Sequence, residues 1–192
     1  MQEEHGKPTD WNRRYREGFY SEAIDPHALL TKFWPEIPGR HVADIAMGNG
    51  RDALFLSEKG FFVTGLEGSI EAINIAKKTT AQKGLAVYPI LGDARRLPYR
   101  KSAFDCILVF YFLKREIMDE IKALLKKGGI FMYETFLKRQ NDIDRPRNPD
   151  YLLDDGELMS YFKGFELLFY EEIIENAGGK RKATARAIGR KR

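Results

Sequence analysis

The apolar positions of this chain fall into short blocks that alternate between strand-like runs and a helical spacing. "RHVADIAM" and "FFVTGLE" are strand-length runs, and "FDCILVFYFL" is a longer one of the kind buried on both faces of a sheet. "DPHALLTKFW" predicts a helix with Asp25 as N-cap, Pro26 at the first helical position, and Leu29, Leu30 and Phe33 on one face; Pro35 and Pro38 stop it. "RDALFLSEK" predicts a second helix ended by Gly60. Ser69 caps a third that reaches Lys83 and stops at Gly84, followed by the strand run "LAVYPIL". Ile117, Ile121, Leu124 and Leu125 share one face of a helix closed by Gly128 and Gly129, and "IFMYETF" is the next strand.

Strands separated by helix-length segments call for parallel pairing, right-handed crossovers and helices on both faces of a sheet. The ending breaks that beat. "FELLFYEEIIE" and "KATARAIG" flank the short link "NAGGK", and a hairpin-length turn forces antiparallel pairing. The expected fold is α/β: a three-layer, doubly wound, mostly parallel seven-stranded sheet with an antiparallel C-terminal hairpin strand.

Composition changes this picture little. The 192 residues, 43% hydrophobic and 12% aromatic, suffice for one packed domain. No apolar run approaches the roughly 20 residues that span a bilayer, and the polar opening carries no secretory signal pattern. A single cysteine, Cys106, rules out an internal disulfide and a Cys-x-x-Cys site, so a reducing cytoplasm is the expected setting, with no metal and no membrane partner. Cys106 itself reads as an inert buried thiol. The net charge of +4 is local, since Lys180 to Arg192 holds seven basic residues and no acidic one. That stretch reads first as a solvated strand end, with a phosphate-grazing tail as the alternative.

The chemistry concentrates in "ADIAMGNGRDALFL". Gly48 and Gly50 fall where the first strand turns into a helix, at the carboxyl edge of the sheet where doubly wound folds hold ligands. Glu67, at the end of the second strand, is placed to accept hydrogen bonds from both hydroxyls of an adenosine ribose. "GNGRDA" also satisfies a dinucleotide pattern, but Asp44 separates the two readings. A carboxylate inside a central strand is costly unless it meets loop amides or a cationic ligand group. S-adenosylmethionine offers an ammonium and a sulfonium and has no pyrophosphate. In "LGDARRLP", Asp93 could accept from an adenine amino group while Ala94 supplies a backbone N–H, and Tyr111 ends the fourth strand beside the ligand.

With these residues the chain resembles the class I S-adenosylmethionine-dependent methyltransferases, from about Trp11 to its end. "ADIAMGNG" looks like their first motif, with Ala46 where a glycine commonly stands. Glu67 and Asp93 match the ribose and adenine acids, Gly68 follows Glu67, and "LLKKGGIFMYETF" matches their Leu-x-Pro-Gly-Gly segment with Lys127 in the proline position. "WNRRY", "GRDALFLSEKGFFVTGLEGS" and "YETF" look most like the compact tellurite-resistance-type branch. The resemblance implies a Rossmann-like fold and one methyltransferase domain over 1–192, made of an N-terminal cap segment (1–38), a cofactor-binding core (40–136), an active-site loop (137–153) and a C-terminal helix and hairpin (154–192). It also implies S-adenosylmethionine as cofactor and S-adenosylhomocysteine as product.

Methyl transfer from a sulfonium asks for a held nucleophile rather than a catalytic triad. His5, His27 and His41 lie in no ligand-side strand-end loop, so none is expected to act as a base. Tyr111, Tyr133 and Glu134 are placed to flank the transferring methyl, and Arg145 and Arg147, in a proline-stiffened loop, to clamp an anionic acceptor. Trp11, Arg14 and Tyr15 are expected over the cofactor, with cation–π contact to the sulfonium, or as a hydrophobic plug. The expected activity is in-line methyl transfer to a small-molecule acceptor by a monomer or homodimer. RNA methylation and nonenzymatic S-adenosylmethionine binding are the alternatives.

Overall fold

The computed structural model describes residues 10–20, 25–144, 147–177 and 180–192. Seven strands form one sheet in the order β3-β2-β1-β4-β5-β7-β6. They are β1 (His41–Ile45), β2 (Phe62–Glu67), β3 (Val87–Leu91), β4 (Phe104–Phe110), β5 (Leu125–Phe136), β6 (Phe165–Ala177) and β7 (Lys180–Lys191). The first five run parallel, and β7 pairs antiparallel with both β5 and β6. The chain order reverses beside β1, which places the end of β1 at a topological switch point.

Alternation along the central strands sends side chains to opposite faces. Val42, Cys106, Leu108, Ile130 and Met132 pack under α2 (Ala28–Phe33) and α3 (Arg51–Glu58) through Leu29, Leu30, Ala53 and Leu56. Ala43, Ile45, Ile107, Val109, Phe131 and Tyr133 pack under α5 (Met118–Leu124) and α6 (Glu157–Tyr161). Burial between these layers pushes the Cys106 thiol well above its ordinary range, which leaves it a small hydrophobe. On the β2 side, α4 (Ile70–Lys83) is capped by Ser69, whose Oγ accepts from the Ala72 N–H at 3.2 Å, as the sequence predicts. A six-residue helix, α1 (Trp11–Arg16), lies across the start of α4.

Three local expectations are corrected. The helix predicted from Asp25 and Pro26 begins at Ala28, because Asp52 accepts the His27 backbone N–H at 2.8 Å and holds His27 extended as the N-cap. The helix predicted to close at Gly128 and Gly129 ends at Leu124. Phe104 pairs with Leu125 but Cys106 with Ile130, so both glycines sit in an irregularity within β5. The basic C-terminal stretch is solvated only at its ends, where Lys180, Arg181 and Arg192 are exposed: β7 is an inner strand, with Arg186 paired to Glu171 and Glu175, and Arg190 to Glu36 and Glu166. Its hairpin turn, residues 178–179, lies outside the described residues. Among the described residues no helix is long and apolar enough to cross a membrane.

Candidate active site

After β1 the backbone turns sharply, with positive φ at Ala46 (59°), Gly48 (60°) and Gly50 (81°) before α3 begins. Glycine takes this region without penalty, whereas Ala46 is held there by its surroundings. Glu67 ties the turn to the end of β2: Oε2 accepts from the Gly48 N–H at 2.9 Å and Oε1 from the Ser69 N–H at 2.8 Å. Each oxygen keeps a further lone pair for a ligand hydroxyl.

Above this turn sits Tyr15. A Cβ on Gly48 would stand 2.5 Å from its hydroxyl oxygen, so only glycine admits this contact. Burial, and then Glu67 beside it, hold the Tyr15 phenol above its usual range. The Asn12 side chain accepts from Ser69 Oγ at 2.8 Å and Arg16 pairs with Glu71 at 3.1 Å, which pins α1 in place. Trp11 faces outward, with the Arg14 guanidinium 5.4 Å from its ring centroid.

Asp44 is 2% exposed, and its Oδ2 is a buried oxygen with no hydrogen-bond partner. Burial raises its pKa well above the ordinary carboxylate range, and Asp52 and Glu67 add to the rise while Arg51 opposes it. Three carboxylates therefore surround the glycine turn, one of them lacking a partner for an oxygen.

The second half of the site lies over β4, β5 and β7. Tyr111, with positive φ (55°), donates its hydroxyl to Glu134 Oε1 at 2.8 Å. Burial foremost, then Glu134, raises its phenol. Phe136 packs 4.7 Å from Tyr111, and the Arg147 guanidinium stands 4.2 Å over the Phe136 ring. Lys182, near the start of antiparallel β7, brings its ammonium 5.3 Å over Tyr111. Burial lowers its pKa, and among the described residues it makes no ion pair. Arg51, at the start of α3, joins the two halves, since its charge acts on Tyr15 and Asp44 and also on Tyr111 and Lys182.

Not every predicted residue converges here. Tyr133 is fully buried on the opposite face, where its hydroxyl donates to the Phe112 carbonyl at 2.8 Å and its ring stacks on Tyr161; adjacent strand residues point to opposite faces, so Glu134 reaches the site and Tyr133 does not. Asp93 is exposed and tied to Arg95, with Ala94 packed on the core beside it. Gly68 lies where β2 meets the turn after β3, 3.7 Å in Cβ reach of the Gly92 carbonyl. Arg145 lies outside the described residues. Sequence reasoning missed Arg51, Lys182 and His27. The ring of His27, set aside for lying in no strand-end loop, packs against Phe110 and Tyr111. Only the adjacent "RD" of "GNGRDA" carried a local signal for Arg51.

A Rossmann-like sheet of this strand order, with a glycine turn and an acid on β2, is a fold shared with methyltransferases of known structure. Similarity agrees. A methyltransferase-domain family profile matches residues 42–129. The probable S-adenosyl-L-methionine-dependent methyltransferase TehB of Haemophilus influenzae is 28% identical over 138 residues, covering 68% of this chain and 48% of that protein. The demethylmenaquinone methyltransferase of Thermotoga maritima is 31% identical over 131 residues, covering 65% and 49%. The crystal structure of TehB from Haemophilus influenzae superposes with a TM-score of 0.77 at 23% identity, covering 95% of this chain and 67% of that one, a likeness of fold. The chain is thus similar, over its methyltransferase-domain match and in fold, to S-adenosylmethionine-dependent methyltransferases that include TehB. It spans about half the length of the curated relatives it matches.

Proposed function

We propose that this chain transfers the methyl group of S-adenosylmethionine to a small-molecule acceptor by in-line displacement. The observation that carries the reading is the buried, unpartnered Asp44 Oδ2 beside the glycine turn. A cation relieves that carboxylate, whereas the pyrophosphate of a dinucleotide would add negative charge next to Asp44, Asp52 and Glu67. The residues present thus fit S-adenosylmethionine. Asp44, Ala46, Gly48, Gly50, Glu67 and Gly68 would hold it, with Asp93 and Ala94 on the adenine side and Trp11, Arg14 and Tyr15 on the covering segment. When bound, it supplies a methyl group already activated on sulfonium.

The protein's own share is to exclude water and orient the acceptor. Tyr15 covers the glycine turn, and the Asn12 and Arg16 contacts hold α1 closed over it. Glu134 fixes the Tyr111 hydroxyl, leaving its ring as a wall, and Lys182 brings positive charge to the same wall. Arg147 joins them through Phe136, and Arg145 belongs to the same proposed clamp for acceptor charge. A cytoplasmic setting and a monomeric or dimeric state go with this reading. Of the seven basic residues behind the RNA alternative, Arg186 and Arg190 are engaged by carboxylates and Lys191 by the Lys122 and Leu125 carbonyls, which favours the small-molecule reading.

Side-by-side calorimetric titration with S-adenosylmethionine, S-adenosylhomocysteine and NAD tests the proposal. Micromolar binding of the first two and none of NAD is the expected result. NAD binding alone overturns it, and tight S-adenosylmethionine binding without turnover on any acceptor returns the nonenzymatic alternative.

A further inference from the structure

His27 lies where the two halves of the site meet. Its ring stacks on Phe110 at 4.3 Å between centroids and stands 5.2 Å from Tyr111. Asp52 holds it twice, through the backbone N–H and through Nδ1, which lies 2.6 Å from Oδ2. The two side chains are only 11% and 5% exposed. The backbone bond lies at the N-cap of α2, and the side-chain bond fixes the orientation of the ring. Nε2 meets the Arg51 guanidinium. A guanidinium has no acceptor lone pair and keeps its protons, so Nε2 presents a lone pair and the ring proton sits on Nδ1, donated to Asp52.

We infer that His27 is the general base of the reaction and that the acceptor carries a proton on its reacting atom, as a hydroxyl, thiol or ring N–H does. This rests on the methyl-transfer reading above. Asp52 is a positioning residue that keeps the tautomer, as a carboxylate does for a catalytic histidine elsewhere. Arg51 occupies on Nε2 the place that the acceptor's X–H takes, and its displaced guanidinium then lies beside the charge developing on X. In the step, the acceptor passes its proton to Nε2 as X takes the methyl group. The X–C bond forms, the C–S bond breaks and its electron pair stays on sulfur. The imidazolium, paired with Asp52, then returns the proton to water.

The test uses the full chain, two acceptor classes and a readout apart from turnover. Catechol and dithiothreitol bring a proton on the reacting atom, whereas 5-thio-2-nitrobenzoate is a thiolate at neutral pH. His27→Gln and Asp52→Asn should each slow S-adenosylhomocysteine release about 100-fold with the first two acceptors, the loss typical of a missing general base, and far less with the thiolate. Retained S-adenosylhomocysteine affinity marks an intact fold in both variants. Nitrogen NMR of the wild type should show His27 protonated on Nδ1 and bare on Nε2, its signals assigned by their absence in His27→Gln, and Asp52→Asn should move the proton to Nε2. Equal losses for both acceptor classes, transfer to the thiolate alone, or a wild-type proton on Nε2 overturns the inference. Binding of S-adenosylmethionine with transfer to neither class overturns the inference alone, whereas no binding sinks the methyl-transfer reading and the inference with it.

Discussion

The two halves of the site are built from different materials. Over β1 and β2 the work is done by backbone: a turn of adjacent residues, two amides bound to Glu67, and a glycine that admits Tyr15. Over β4, β5 and β7 it is done by side chains from positions 27, 51, 111, 134 and 182. A backbone cradle recognises what any bound cofactor of one kind presents, whereas scattered side chains can be exchanged without disturbing the turn. Under the proposed methyl transfer, the difference assigns the common chemistry to the first half and the particular acceptor to the second. Asp44 is the strained point of the first half, and Arg51 the link between the two.

Variants in one half should therefore leave the other's ligand alone. Gly48→Val should have the largest effect, abolishing S-adenosylhomocysteine binding in calorimetry, because a side chain at φ 60° meets the Tyr15 hydroxyl; retained affinity would show that the turn can open without loss. Glu67→Ala should weaken that binding by about 1 to 3 kcal/mol and leave the acceptor KM unchanged. The mirror experiment is Lys182→Ala, expected to raise the KM of an anionic acceptor about tenfold with the cofactor Kd unmoved. Equal changes in both constants would erase the division between the halves.

Asp44→Asn probes stability rather than binding. Because the folded carboxyl titrates above its unfolded value, its stabilising contribution is present at low pH and lost as pH rises through the raised pKa. The ligand-free variant should thus melt about 3 °C above wild type at neutral pH and above, with the gap closing below the ordinary carboxylate range; that shift corresponds to a change on the order of 1 kcal/mol. A gap that ignores pH would remove Asp44 as its source. The smallest change should come from Ala46→Gly, which relieves a left-handed alanine at φ 59° against glycine's greater entropy loss and should stabilise by about 0.5 kcal/mol in denaturant unfolding.

Features that are local along the chain were legible without the fold. The alternation of strand runs and helix-spaced segments predicted the parallel sheet, "NAGGK" predicted its antiparallel close, and Ser69 capped its helix as expected. The glycine turn and Glu67 were legible because a strand end and the turn that follows it are neighbours in sequence. Where neighbours along the chain did not decide the outcome, reading failed. The start of α2 depends on Asp52, 25 residues away, and the place of Gly128 and Gly129 depends on how β5 registers against β4. Tyr133 and Glu134 are adjacent and equally plausible in sequence, and the pleat sends them to opposite faces.

The sequence by itself determined the class of fold and the glycine turn after β1, since periodicity, turn residues and the β1–α3 turn act over a few residues. Only the tertiary structure decided the cluster over β4, β5 and β7. His27, Arg51 and Lys182 carry no signal of their own, and each acquires its role from a partner brought alongside by strand pairing and helix packing.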